Sequence, residues 1–156
     1  MTMRTLLVSL LVLAAAAQTA RAEDGVAGVY DIKIDEMADN CSPIPVILSN
    51  KTIRVDVKGT SLTVNLDTVP QMAGATAKNG RISAKTAKIL PTTVAGLDGT
   101  YTIAGHVAPD KTLELVLVAE YSRSATKKAY CTQSWTLTGK KQGAAAAPAP
   151  PAPPAK

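Results

Sequence analysis

Tyr130-Cys131-Thr132-Gln133-Ser134-Trp135-Thr136-Leu137-Thr138-Gly139 alternates without a break. In an extended chain, Cys131, Gln133, Trp135 and Leu137 fall on one side, and Tyr130, Thr132, Ser134, Thr136 and Thr138 on the other. The stretch holds one of two cysteines and the only tryptophan of the chain. It reads as the closing strand of an all-β domain, with its Cys-Trp-Leu side toward the core.

Upstream, the same period of two recurs. Leu113, Leu115, Leu117, Ala119 and Tyr121 share one face of the longest predicted strand, while Val116 and Val118 interrupt the polar opposite face, a pattern expected of a strand that is central or covered. Tyr101, Ile103, Gly105 and Val107 alternate with Thr100, Thr102, Ala104 and His106, and Pro109-Asp110-Lys111 turns the chain. Ile53, Val55 and Val57 are answered across Gly59-Thr60 by Leu62, Val64 and Leu66, the clearest hairpin in the sequence. Tyr30, Ile32 and Ile34 mark a first strand over 28–34. After it, Asp35 to Asn40 and Cys41-Ser42-Pro43-Ile44-Pro45 predict an irregular connection.

The segment from Val69 to Ile89 is poorer in large apolar residues. Asn79-Gly80 suits a two-residue turn between strands at 73–78 and 81–87, and the Ala and Lys content of 83–89 leaves a helix as the alternative. About eight strands result, joined mostly by short turns and without βαβ spacing. The fold class is therefore all-β: an antiparallel up-and-down meander of about eight strands closed into a barrel, with a two-layer β-sandwich as the alternative. Phe is absent, so the core must be built mainly from Val, Ile and Leu.

Residues 1–22 have a basic start at Arg4, an apolar run from Leu6 to Ala17 and a small-x-small site at Ala20-Arg21-Ala22, the pattern of a cleaved signal peptide. The apolar run is too short to span a bilayer, so no transmembrane anchor is expected after cleavage. The single domain is assigned to 23–140, and residues 141–156, dominated by Ala and Pro, to a disordered tail. The leader carries two of seventeen basic residues and none of twelve acidic ones, leaving fifteen against twelve. That mild excess, without interleaved aromatics, points away from nucleic acid. Two cysteines in an exported chain, periplasmic or secreted, imply one disulfide, Cys41 to Cys131.

Gly28-Val29-Tyr30 at the head of the first strand, an end-to-end disulfide and a late Trp135 resemble the layout of lipocalin-like (calycin) barrels, with Tyr30 where those barrels usually carry Trp. The resemblance implies a barrel that takes a small apolar ligand in its lumen.

Candidate chemistry is sparse. His106 is the only histidine and reads as a surface residue, so His-based metal sites and nucleophile-His catalysis would rest on it alone. Asp35, Glu36, Asp39 and Asn40 lack EF-hand spacing and read as solvated. No enzyme activity and no cofactor are expected. Gln133 is the inward polar group that a simple core does not require, and with Trp135, Tyr30, Tyr101 and Tyr121 it forms the candidate ligand-binding set. Lys78, Arg81, Lys85 and Lys88 make a basic hairpin that could contact an envelope protein, and Arg123, Lys127 and Lys128 make a second basic loop. Three function classes follow: an exported non-enzymatic binding domain for a small apolar or amphipathic ligand, a protein-binding envelope module (inhibitor or accessory factor) working through loops and the basic hairpin, and a structural envelope protein.

Overall fold

A computed structural model describes residues 25–49, 51–66, 68–76 and 79–143. The expected signal peptide at 1–22, Lys78 and all but the first residues of the expected tail lie outside that set. The strands are β1 (Gly28–Asp39), β2 (Thr52–Lys58), β3 (Ser61–Leu66), β4 (Val69–Thr76), β5 (Arg81–Lys85), β6 (Leu90–Pro91), β7 (Leu97–Val107), β8 (Thr112–Arg123) and β9 (Ala129–Lys141). All pairs are antiparallel, in the order β5-β4-β3-β2-β1-β9-β8-β7, and β5 pairs back onto β7. Eight strands thus close a meander barrel, and the two-residue β6 lies against β7 as an extra strand.

Closure follows from the alternation. Each strand presents β-branched or leucine side chains on one face, and these meet only if the sheet curls onto itself. Ile53, Val64, Met72, Ile103, Leu113, Leu117 and Leu137 are among the inward side chains and are sealed from solvent. At the seam, Gly80 adopts φ +78° and its carbonyl accepts from the Val107 amide at 2.9 Å. A Cβ there would lie 2.3 Å from the Val107 carbonyl oxygen, so only glycine lets the β4–β5 link approach β7 this closely.

Several boundaries differ from the sequence reading. β1 continues to Asp39, because β9 pairs with it from Tyr30↔Lys141 to Asp39↔Gln133, with an irregularity between Glu36 and Ala38. Long-range pairing overrides the turn character of that acidic stretch. β4 lies at 69–76 rather than 73–78, since Val69 and Met72 have inward places opposite Leu66 and Val64. The helix considered for 83–89 does not form: Ile82 and Ala84 are buried from an extended β5, and Thr86 continues the pairing through its amide to the Tyr101 carbonyl at 2.9 Å. β9 runs to Lys141, and the Gln142 amide bonds the Val29 carbonyl at 2.8 Å, so the first residues assigned to the tail belong to the barrel.

The disulfide joins Cys41 to Cys131 with Cα atoms 5.2 Å apart. It fastens the β1–β2 connection to the start of β9, as the cysteine count implies.

Candidate functional site

The five residues proposed for the lumen are all buried but do not form one cluster: Tyr101, Tyr121 and Gln133 meet, while Tyr30, paired with Lys141, lies nine residues along β1 from Asp39, the partner of Gln133. Tyr30, Tyr101, Tyr121, Gln133 and Trp135 are each no more than 3% exposed. Gln133 points inward from β9, and each of its amide atoms has a partner. The Tyr121 hydroxyl donates to Oε1 at 2.9 Å, and Nε2 donates to Asp39 Oδ2 at 3.1 Å and to the Val46 carbonyl at 3.2 Å. Tyr101 meets Tyr121 edge to face, with ring centroids 6.1 Å apart. The Tyr30 hydroxyl donates to the Val26 carbonyl at 2.6 Å. Burial raises the pKa of all three tyrosines, and for Tyr121 the neighbouring Tyr101 and Asp39 push further in the same direction. Tyr121, Gln133, Asp39 and the Val46 carbonyl thus form an internally satisfied polar cluster, with Tyr101 packed against it.

The exterior differs. An open depression of about 660 Å³ lies over β4, β5 and β7, lined by Ala75, Asn79, Arg81, Ile82, Ser83, Ala104, Gly105 and His106. Its floor is made by register: Ala75 faces Ser83 on β5, and Ser83 faces Ala104 on β7. Small side chains on three adjacent strands leave the surface low, and Arg81 beside His106 forms one wall. Of the expected basic group, Arg81 lines the depression and Lys85 stands two residues beyond Ser83 along β5, opposite Thr102. Lys88 lies beyond the end of β5.

The same row continues past the depression. Ala104 pairs with Val116 on β8, and Val116 pairs with Thr136 on β9. Val116 is 40% exposed, and Met37 on β1 is also exposed, its sulfur accepting from the Thr136 hydroxyl at 2.9 Å. From Ala75 to Thr136 the outer row therefore carries no charge across five strands. The row beside it holds Arg81, His106 and Glu114, with His106 Nε2 at 4.0 Å from Glu114 Oε2. The row on the other side holds Ala73, Lys85, Thr102 and Val118. The result is an uncharged strip with Arg81, His106 and Glu114 along one margin and Lys85 on the other.

Of the two expectations for a strand apolar on both sides, central or covered, β8 meets the first: it lies between β7 and β9, while on its outer face Val116 is open to solvent and Val118 half-buried. The strip is not legible in the sequence, since its residues come from five strands and only register brings them into line.

The acidic stretch after the first strand does not gather. Asp39 accepts from the Cys41 amide at 2.7 Å as well as from Gln133, and Asp35 pairs with Lys33 at 2.8 Å. Among the described residues, no group of three His, Cys, Asp or Glu side chains is placed to hold a metal ion. In the second basic loop, Lys127 is paired with Asp98 at 2.7 Å, and Arg123 lies 4.6 Å over the ring of Tyr130. Comparison with family models, with curated proteins and with solved structures gives no match.

Proposed function

We propose that this chain is an exported, non-enzymatic protein-binding module that works through the outer face of β4, β5, β7 and β8. The observation that carries the reading is the uncharged strip from Ala75 through Ala104 to Val116, continuous with a depression and margined by Arg81 and Lys85. A centre depleted of charge with a polar, charged rim is the usual anatomy of a protein interface. The partner it suits presents an apolar ridge to the strip and acidic groups to Arg81 and Lys85.

Export is supported by the 1–22 leader pattern and by a disulfide, which persists in oxidising compartments. The barrel shares its layout with lipocalin-like proteins, yet Gln133, Trp135 and the three inner tyrosines are buried, and the amide atoms of Gln133 already have protein partners. That favours the outer face over the lumen as the place where binding happens.

The test is site-specific photocrosslinking in the native host, with the reactive group at position 104 and, as a control, at Thr63 on the outer side of β3. A discrete adduct from position 104, lost in Val116→Asp and weakened in Arg81→Glu, supports the reading. Equal labelling from both positions counts against it.

A further inference from the structure

Arg81 supplies the charge of the depression, and the described chain does not neutralise it. Arg54 is held by Asp56 and Arg123 lies over the Tyr130 ring, whereas no carboxylate stands within ion-pair distance of Arg81 among the described residues. None of the residues lining the depression is acidic. Along the same cross-strand row, Glu114 lies beyond His106 and outside the lining, with Oε2 4.0 Å from His106 Nε2.

The neighbouring polar groups can donate. Asn79 Oδ1 accepts from the Arg81 amide at 3.4 Å, which leaves Nδ2 without a partner among the described residues, and the Ser83 hydroxyl has none either. Arg81 and Ser83 leave β5 on the same outer face, with His106 opposite Arg81. Between them the floor is Ala75, Ala104 and Gly105. A guanidinium fork beside two neutral donors, over an uncharged floor, is complementary to one carboxylate on a small apolar body.

The size of the hollow selects what carries that carboxylate. Its volume of about 660 Å³ falls in the range of ligand pockets, roughly 300–1,000 Å³, so it holds a short piece of chain and not the face of a folded protein. An acidic side chain on a partner's strand or helix brings its own backbone against the walls made by Arg81, Asn79 and His106. A chain end enters alone.

We propose that the depression captures the C-terminal carboxylate of the partner polypeptide. Arg81 binds it through two guanidinium nitrogens, Asn79 and Ser83 complete its hydrogen bonds, and the last residues of the partner lie along Ala104 toward Val116. This inference rests on the protein-binding reading above and names the part of the partner that the site holds.

The test titrates three probes into the full chain while amide and Arg81 Nε resonances are followed: an acetylated Ala-Val-Ala-Val peptide with a free C-terminus, the same peptide as its C-terminal amide, and hexanoate. The free acid should shift Arg81, Ser83 and Ala104 and bind at least about tenfold tighter than the amide. Arg81→Gln should abolish that difference, and Arg81→Lys, which keeps the charge but not the fork, should recover only part of it. Unchanged melting confirms the fold of both variants. Equal affinities of acid and amide overturn the proposal. Hexanoate binding as tightly as the peptide overturns it too, because the ligand is then a small acid. Competition with the host adduct separates this inference from the reading beneath it. Loss of the position-104 adduct on adding the free-acid peptide supports the inference. An adduct that resists the peptide overturns the chain-end assignment and leaves the interface standing. Selective binding of the free acid without any adduct in the host sustains carboxylate capture and counts against the interface.

Discussion

The Tyr121 hydroxyl donates a 2.9 Å hydrogen bond to Oε1 of Gln133 inside the barrel, where Gln133 has no exposed surface. Through Nε2, Gln133 also reaches Asp39 and the Val46 carbonyl, so one side chain joins β8, β9, the end of β1 and the β1–β2 connection. Tyr121→Phe leaves Oε1 without its donor and should cost about 1–3 kcal/mol. Gln133→Leu orphans the partners instead, and the double variant should lose less than the two singles combined, by at least about 0.5 kcal/mol. Urea unfolding of the four proteins measures the coupling; strict additivity would show that the pair is not a unit.

The disulfide closes a separation of 90 residues. In the chain-entropy picture its removal should cost about 4–5 kcal/mol, a large share of the stability of a domain this size. Unfolding midpoints of the oxidised protein and of a Cys41→Ser, Cys131→Ser variant test this. A difference under about 1 kcal/mol would place the stability elsewhere, in the β8–β9 and β1–β9 ladders.

Burial holds the Tyr30, Tyr101 and Tyr121 hydroxyls above their ordinary value of about 10. For a raised pKa, the native state retains protons that the unfolded state releases. Their contribution to stability is intact below pH of about 10 and falls as pH rises above it. Thermal melts between neutral pH and pH of about 11 should show this alkaline loss, and Tyr101→Phe should make its slope shallower. A flat profile would mean that the tyrosines ionise as easily folded as unfolded.

Asp98 is held below the usual carboxylate range first by its hydrogen bond to Lys127 and then by that to Ser124. For a lowered pKa the stabilising effect is present above the unfolded value of about 4 and is lost as pH falls through the native one. Asp98→Asn should therefore loosen the β8–β9 loop at neutral pH and matter less in acid. Limited proteolysis at 124–128 reads the change directly.

Gly80→Ala places a Cβ 2.3 Å from the Val107 carbonyl oxygen at a residue with φ +78°. The positive φ alone costs about 1 kcal/mol, and separating the seam should bring the total to at least about 2 kcal/mol. Faster amide exchange at Val107 than at Leu115 would locate the damage at the β5–β7 closure.

Strand identity and the inward residues were legible because each strand carries its own signal. The Thr52 to Leu66 hairpin, the Leu113 to Tyr121 face and the Tyr130 to Gly139 stretch state their buried sides through local alternation, and two cysteines leave one intramolecular pairing. Gln133 was marked by the same rule as an inward amide. Its partners were not legible, because Tyr121, Asp39 and Val46 reach it from separate parts of the chain. The extension of β1 to Asp39, the placing of β4 and the pairing of β5 with β7 depend on ladders between distant segments. The uncharged strip from Ala75 to Val116 and the depression walled by Arg81 belong to that second class. A sequence determines which side each residue takes in its own strand. Register and closure alone decide which residues from different strands stand side by side, and it is those neighbourhoods that make a surface able to bind.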